Sequence, residues 1–194
     1  MTVLLISGSP SAASRSTALL EAVGERLARR GARVERVAVR ELPAQPLLLA
    51  EWAHPAIAQA IEKVAQARVV VVATPVYKAA YSGVVKVFLD LLSQGALKGK
   101  TVLPLATGGS PHHMLALDYA LRPVLQALAA RHIIPGIYAT DAQITASPQG
   151  EFRVHDDLAH RLDDAAEVLA AEGLKLPPMR GFEPIHFSRV RCSV

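Results

Sequence analysis

The sequence predicts a doubly wound α/β domain, with five parallel strands in one sheet and helices on both of its faces. Three observations predict it. Short runs of β-branched and aliphatic residues alternate with longer stretches whose apolar residues recur at helical spacing. The short runs are almost wholly apolar, as strands buried on both faces are. The segments between successive runs are long enough for the crossover helices that parallel strands need.

In chain order, Val3-Leu4-Leu5-Ile6 is the first strand, and a helix runs from Thr17 through Leu27. Gly31 stands at the C-cap, with Arg26, Arg29 and Arg30 in the last turn, where cations oppose the helix dipole. A second strand covers Val34 to Val39. After Pro43 and Pro46 a helix spans Pro55 to Ala67, and Arg68 leads into Val69-Val70-Val71-Val72-Ala73, a strand that stops at Pro75. A third helix runs from Ser82 to Leu92. The fourth strand, Thr101 to Ala106, ends at Gly108-Gly109, and a long helix follows from His113 to Ala130. Ile133 to Tyr138 is the fifth strand, interrupted by Pro135 and Gly136. The last helix, Asp157 to Ala171, carries Leu158, Leu162, Ala165, Ala166 and Leu169 at helical spacing. From about Gly173 the chain loses periodicity and reads as an extended tail of a single domain, residues 1–194.

Composition excludes several classes. The chain has 194 residues, 51% hydrophobic and 20% charged, enough to bury on the order of 70% of its unfolded surface without a disulfide or metal. Disorder is incompatible with that apolar content. The single Cys192 has no internal partner, which points to a reducing, cytoplasmic setting. A net charge of +4 comes from dispersed basic residues rather than a patch, so no nucleic-acid role is expected. No run approaches the roughly 18 apolar residues of a membrane span. The opening Met1 to Ile6 lacks the basic segment of a secretory signal. No metal constellation and no nucleophile elbow is present, so neither a bound metal nor Ser-His-Asp catalysis is expected.

Ligands bind doubly wound sheets beyond the carboxyl ends of the strands, so the loops after strands one, three and four carry the functional information. The first, Ser7 to Thr17, holds five serines, a threonine and Arg15, with neither a dinucleotide glycine fingerprint nor a Walker lysine. A strand-to-helix turn of this kind suits a phosphate monoester, through free N–H groups, hydroxyls and the Arg15 cation; it is equally a serine-rich helix cap. The second, Thr74 to Gly83, contains Pro75 and two of the four tyrosines, Tyr77 and Tyr81. These either wall a flat ligand or pack the start of the next helix. Lys86 and Asp90 beyond it have the spacing of a surface ion pair. The third, Thr107-Gly108-Gly109-Ser110, exposes backbone groups suited to a heterocycle edge, or is a plain glycine turn; His112 and His113 follow it. Together the loops offer a phosphate pocket, an aromatic wall and a polar edge, which is the demand of FMN.

With these residues in view, GSPSAASRST, ATPVYKAAYSGVVKVFLDLL, GKTVLPLATGG and LALDYALRPVLQAL resemble the NAD(P)H-dependent FMN reductases of the flavodoxin-like superfamily, most closely their alkanesulfonate-assimilation subgroup. The resemblance implies FMN phosphate at Ser9, Arg15, Ser16 and Thr17, flavin contacts at Pro75, Val76 and Tyr77, and further contacts at Thr107, Gly108, Gly109 and Ser110. It implies a reduced nicotinamide as hydride donor, NADPH or NADH, a homotetramer, and Tyr119 in a π-bulge near a neighbouring flavin at the subunit interface. A two-component flavin-dependent monooxygenase is the implied partner. The flavin carries the hard chemistry, so no side chain is expected to act as acid or base in the hydride step. Three rival readings stand beside it: a quinone or azo reductase that keeps its FMN and uses the same loops, a flavodoxin-like electron carrier or flavin-binding module with no nicotinamide site, and a phosphate-binding regulatory domain.

Overall fold

The computed structural model describes residues 1–147 and 150–175. Strand β1 (Thr2–Ser7) leads to helix α1 (Arg15–Arg29), which Ser14 caps by accepting the Thr17 N–H, and then to β2 (Arg33–Ala38). A short helix α2 (Ala44–Leu48) precedes α3 (Pro55–Gln66), whose His54 side chain caps the Ala56 N–H. Strand β3 (Val69–Tyr77) turns back into the two-residue β4 (Ala80–Tyr81), and α4 (Gly83–Asp90) follows. Then come β5 (Thr101–Gly108), α5 (Arg122–Ala127), β6 (His132–Ile133) and β7 (Ile137–Thr140). A small antiparallel pair, β8 (Ile144–Ala146) and β9 (Phe152–Val154), and helix α6 (Asp156–Val168) complete the described chain.

The sheet order is β2-β1-β3-β5, with the fifth position shared by β6 and β7. Every pairing in this sheet is parallel except that of β4 with β3. Strand side chains alternate between two cores. Val3, Leu5, Val69, Val71 and Leu103 face α1 and α6. Leu4, Ile6, Val70, Val72 and Val102 face α3, α4 and α5, where Phe88 is fully buried. The fold is therefore the doubly wound α/β fold expected.

Three local expectations are corrected, and one element is added. Strand β3 does not stop at Pro75 but continues to Tyr77. Its pairing with β1 ends at Ser7↔Ala73, so on that side the missing proline N–H breaks no ladder, while Pro75 still sits opposite Thr107 of β5. The fifth strand is two short strands, because Pro135 and Gly136 break it beside Pro104; a Cβ on Gly136 would lie 3.2 Å from both the ring and the carbonyl of Pro104. The long helix from His113 to Ala130 is instead a 3₁₀ segment (Pro111–Leu115), a π-helical turn (Leu117–Leu121) and α5, beyond which Ala129 turns left-handed with a φ of 64°. Pro123 supplies a reason, since its ring and missing N–H are incompatible with a regular turn over residue 119. The β8–β9 pair occupies a stretch for which the sequence reading gives no element.

The last helix closes in a second π turn, Leu169–Gly173, and Leu174 is fully buried. Residues 176–194, the rest of the expected tail, lie outside the described residues. Among the described residues no helix is long and apolar enough to cross a membrane, and no three His, Cys, Asp or Glu side chains are grouped to hold a metal ion.

Candidate functional site

The carboxyl ends of β1, β3 and β5 meet at the point where strand order reverses. There the three loops enclose a cleft of about 260 Å³ lined by Ser9, Ser11, Ala13, Ser14, Arg15, Pro75, Val76, Tyr77, Thr107, Gly108, Gly109 and Asp141. Eight of the expected site residues are thus brought together: Ser9, Arg15, Pro75, Val76, Tyr77, Thr107, Gly108 and Gly109.

The hydroxyl-rich turn after β1 is held from below. Gly8 donates its N–H to the Ala73 carbonyl at 2.8 Å, and a Cβ there would stand 2.5 Å from the Val85 Cβ, so only glycine lets the turn lie on α4. Ser82 ties three elements together. Its hydroxyl donates to the Gly8 carbonyl, the same oxygen accepts the Val85 N–H at 3.3 Å, and its own N–H donates to Thr74 Oγ1 at 2.9 Å. Ser9 is buried, with its Oγ accepting the Ser11 N–H at 3.2 Å. Among the described residues no protein acceptor meets the backbone N–H groups of Arg15 and Ser16, and no acidic residue stands in the first turn of α1. That is an N-terminus suited to an anion.

Arg15 reaches across the cleft. Its Nε donates to the Ile144 carbonyl at 2.9 Å and lies 3.8 Å from Asp141 Oδ1, so the terminal fork remains for a ligand. Ser16 and Thr17 are arranged differently from the expectation. Ser16 is buried with its hydroxyl 2.9 Å from that of Ser14, and the Thr17 hydroxyl is 2.8 Å from that of Ser7. Both brace the turn rather than line the cleft.

The second wall is the β3–β4 hairpin. Its two turn residues, Lys78 and Ala79, have φ of 50° and 62°, the left-handed pair that a two-residue hairpin of this twist demands. Neither is glycine or asparagine, so the turn stores roughly 1–2 kcal/mol per residue. It presents Tyr77, about half exposed, at the mouth of the cleft. Tyr81 instead packs on the core beneath, and Lys86 and Asp90 form an exposed ion pair at 2.6 Å.

The third wall is the glycine turn after β5. Ser110 caps the following 3₁₀ segment by accepting the His112 N–H at 3.3 Å, and its carbonyl accepts a hydrogen bond from the Tyr138 hydroxyl at 2.6 Å. His112 and His113 are exposed and outside the cleft. Tyr119 is also outside it, in the π turn and 78% exposed, beside exposed Met114 and Leu115.

Sequence reasoning misses Asp141 and the Ile144 carbonyl. Their signal is topological, since Thr140-Asp141-Ala142-Gln143 follows the strand at the fifth sheet position on the ligand-binding edge. Gln143 fixes this turn by accepting the Thr140 N–H at 3.0 Å and donating to Asp157 at 2.7 Å, which holds the Asp157 carboxyl below its ordinary pKa.

A family profile described as NADPH-dependent FMN reductase matches residues 1–146. The FMN reductase (NADPH) of Pseudomonas putida KT2440 is 47% identical over 169 residues, 87% of this chain and 86% of its own. The FMN reductase (NADPH) of Escherichia coli K12 is 48% identical over 144 residues, covering 74% and 75%. Among solved structures, the apo form of an NADH:FMN oxidoreductase, EMOB, superposes with a TM-score of 0.79 at 36% identity, covering 92% of this chain and 91% of that one.

Proposed function

This chain belongs to the NADPH-dependent FMN reductase family, a family of oxidoreductases, and from that we propose that it binds FMN in the three-loop cleft, reduces it with NADPH, and releases it to a separate flavin-dependent monooxygenase of alkanesulfonate assimilation. The observation that carries the reading is the convergence of an anion-suited helix N-terminus, a tyrosine-bearing hairpin and a glycine turn in one cleft at the switch point.

The residues present fit a flavin mononucleotide. The N–H groups of Arg15 and Ser16, the Ser9 hydroxyl and the Arg15 fork would hold the phosphate. Pro75, Val76 and Tyr77, which line the cleft, would flank the ring, and the Gly108–Gly109 backbone would face its polar edge. When bound, the flavin supplies the hydride acceptor, so the protein's contribution is positioning rather than acid–base chemistry. A hydride donor must approach from the open mouth, where Tyr77 is exposed.

Release of reduced FMN is supported by that open mouth and by Arg15 being the single cation that lines the cleft among the described residues. Such a site suits a micromolar dissociation constant, about −8 kcal/mol. The exposed Met114, Leu115 and Tyr119 are an apolar surface for a second copy, in keeping with a homotetramer. Tyr119→Ala is then expected to reduce the assembly's size in analytical ultracentrifugation.

The decisive test is NADPH oxidation by flavin-free protein, titrated with FMN, FAD and riboflavin and repeated with a quinone at trace FMN. Turnover that saturates with micromolar FMN and needs no other acceptor is the expected result. A rate that follows the quinone at trace FMN would make the flavin a prosthetic group and the protein a quinone reductase.

A further inference from the structure

Among the described residues, Arg15 and Asp141 are the only formally charged ones lining the cleft, and their side chains meet at 3.8 Å. A pocket for a phosphate monoester is thus formally neutral. The Asp141 carboxylate is not needed to hold Arg15, because the Arg15 Nε–H is already directed to the Ile144 carbonyl at 2.9 Å. Nor is it turned away from the ligand space, since a Cβ on Gly109 would stand 3.7 Å from Asp141 Oδ2, against the glycine turn. Its turn is held in place by the Gln143 contact to the Thr140 N–H.

We infer that Asp141 is a specificity-determining residue that weakens the grip on the phosphate of FMN, keeping the flavin a dissociable substrate rather than a fixed cofactor. The inference rests on the proposed reductase reading. Its physics is like-charge repulsion between a carboxylate and a phosphate that shares the same cation, in a cleft where Arg15 and Asp141 side chains are 40% and 51% exposed. At that exposure water screens the repulsion without abolishing it, so removing the charge is worth roughly a three- to tenfold change in Kd. Riboflavin has no phosphate and does not feel the carboxylate in this way.

The test is flavin binding, followed by fluorescence quenching of FMN and of riboflavin, for the wild-type protein, Asp141→Asn and Asp141→Glu. Asp141→Asn is expected to tighten FMN several-fold at low ionic strength, to lose most of that gain at high salt, and to leave riboflavin unchanged. Asp141→Glu, which keeps the charge, is expected to bind FMN like the wild type. If FMN binding in Asp141→Asn is unchanged or weaker, or if FMN and riboflavin tighten together, the charge role is overturned while the reductase reading stands. If the wild-type protein binds neither flavin, the reductase reading itself falls, and this inference with it.

Discussion

The Tyr138 hydroxyl donates to the Ser110 carbonyl at 2.6 Å, and the same oxygen lies 2.6 Å from where a Cβ on Gly108 would stand. One phenol both tethers the glycine turn and forbids a side chain in it. Tyr138→Phe is expected to cost about 1 kcal/mol, the net value of a hydrogen bond. Gly108→Ala in the wild type is expected to cost about 1–3 kcal/mol through overpacking. With the hydroxyl gone the nearest atoms to that Cβ stand at 3.5 Å, an ordinary contact, so Gly108→Ala should cost much less when combined with Tyr138→Phe. Urea denaturation of the four proteins checks this, and strictly additive losses would contradict it.

Burial raises the Tyr138 hydroxyl above its ordinary pKa, and the charge of Asp141 adds to the effect. The folded state therefore holds that proton more tightly than the unfolded chain. The stability this contributes is fully present below the ordinary tyrosine value of about 10 and is lost as pH rises through the raised folded value. Thermal unfolding followed across alkaline pH should show a decline that is shallower in Tyr138→Phe. Equal slopes in the two proteins would remove the assignment.

Ser82 is expected to be among the least replaceable residues outside the cores. Ser82→Ala removes the cap of α4 and leaves the Gly8 carbonyl without its hydroxyl donor, in a buried place. A lost cap costs about 1 kcal/mol and an orphaned buried carbonyl about 1–3 more. Chemical denaturation measures the sum, and FMN affinity should fall with it, because the turn after β1 loses its support.

Arg15→Ala should weaken FMN by roughly tenfold or more, the worth of a charge-assisted hydrogen bond of about 1.5–3 kcal/mol, and should leave riboflavin nearly untouched. Isothermal titration with both ligands decides it. Equal loss for the two would defeat the phosphate assignment.

The strands of the sheet's centre are legible because their apolar runs have no competing reading: Val69 to Ala73 is too β-branched for a helix and too short for one. Prolines mislead where neighbours, rather than propensity, decide the outcome. Pro75 is tolerated because β1 has already ended beside it, and Pro104 faces the gap between β6 and β7. Neither fact exists in a single strand's sequence. The irregular stretch from His113 to Ala130 reads as one helix because its apolar spacing is helical. Pro123 is the signal that a regular turn fails there. In the cleft, the residue types that chemistry favours for phosphate can be picked out in advance. Which hydroxyls face inward is not legible, because Ser16 and Thr17 are claimed by Ser14 and Ser7. Asp141 is hidden for a related reason, since its place depends on the β7 register.

The contact from Arg15 to Ile144 joins positions 129 residues apart, which has a consequence for biosynthesis. The hydroxyl-rich turn leaves the ribosome early, whereas the carbonyl that steadies its cation emerges only when most of the domain has been translated. On the proposed reading, the cleft is therefore complete only late in the life of the nascent chain. A message cut short before Ile144 yields a protein with its hydroxyl-rich turn encoded in full and the Arg15 Nε–H without the Ile144 carbonyl.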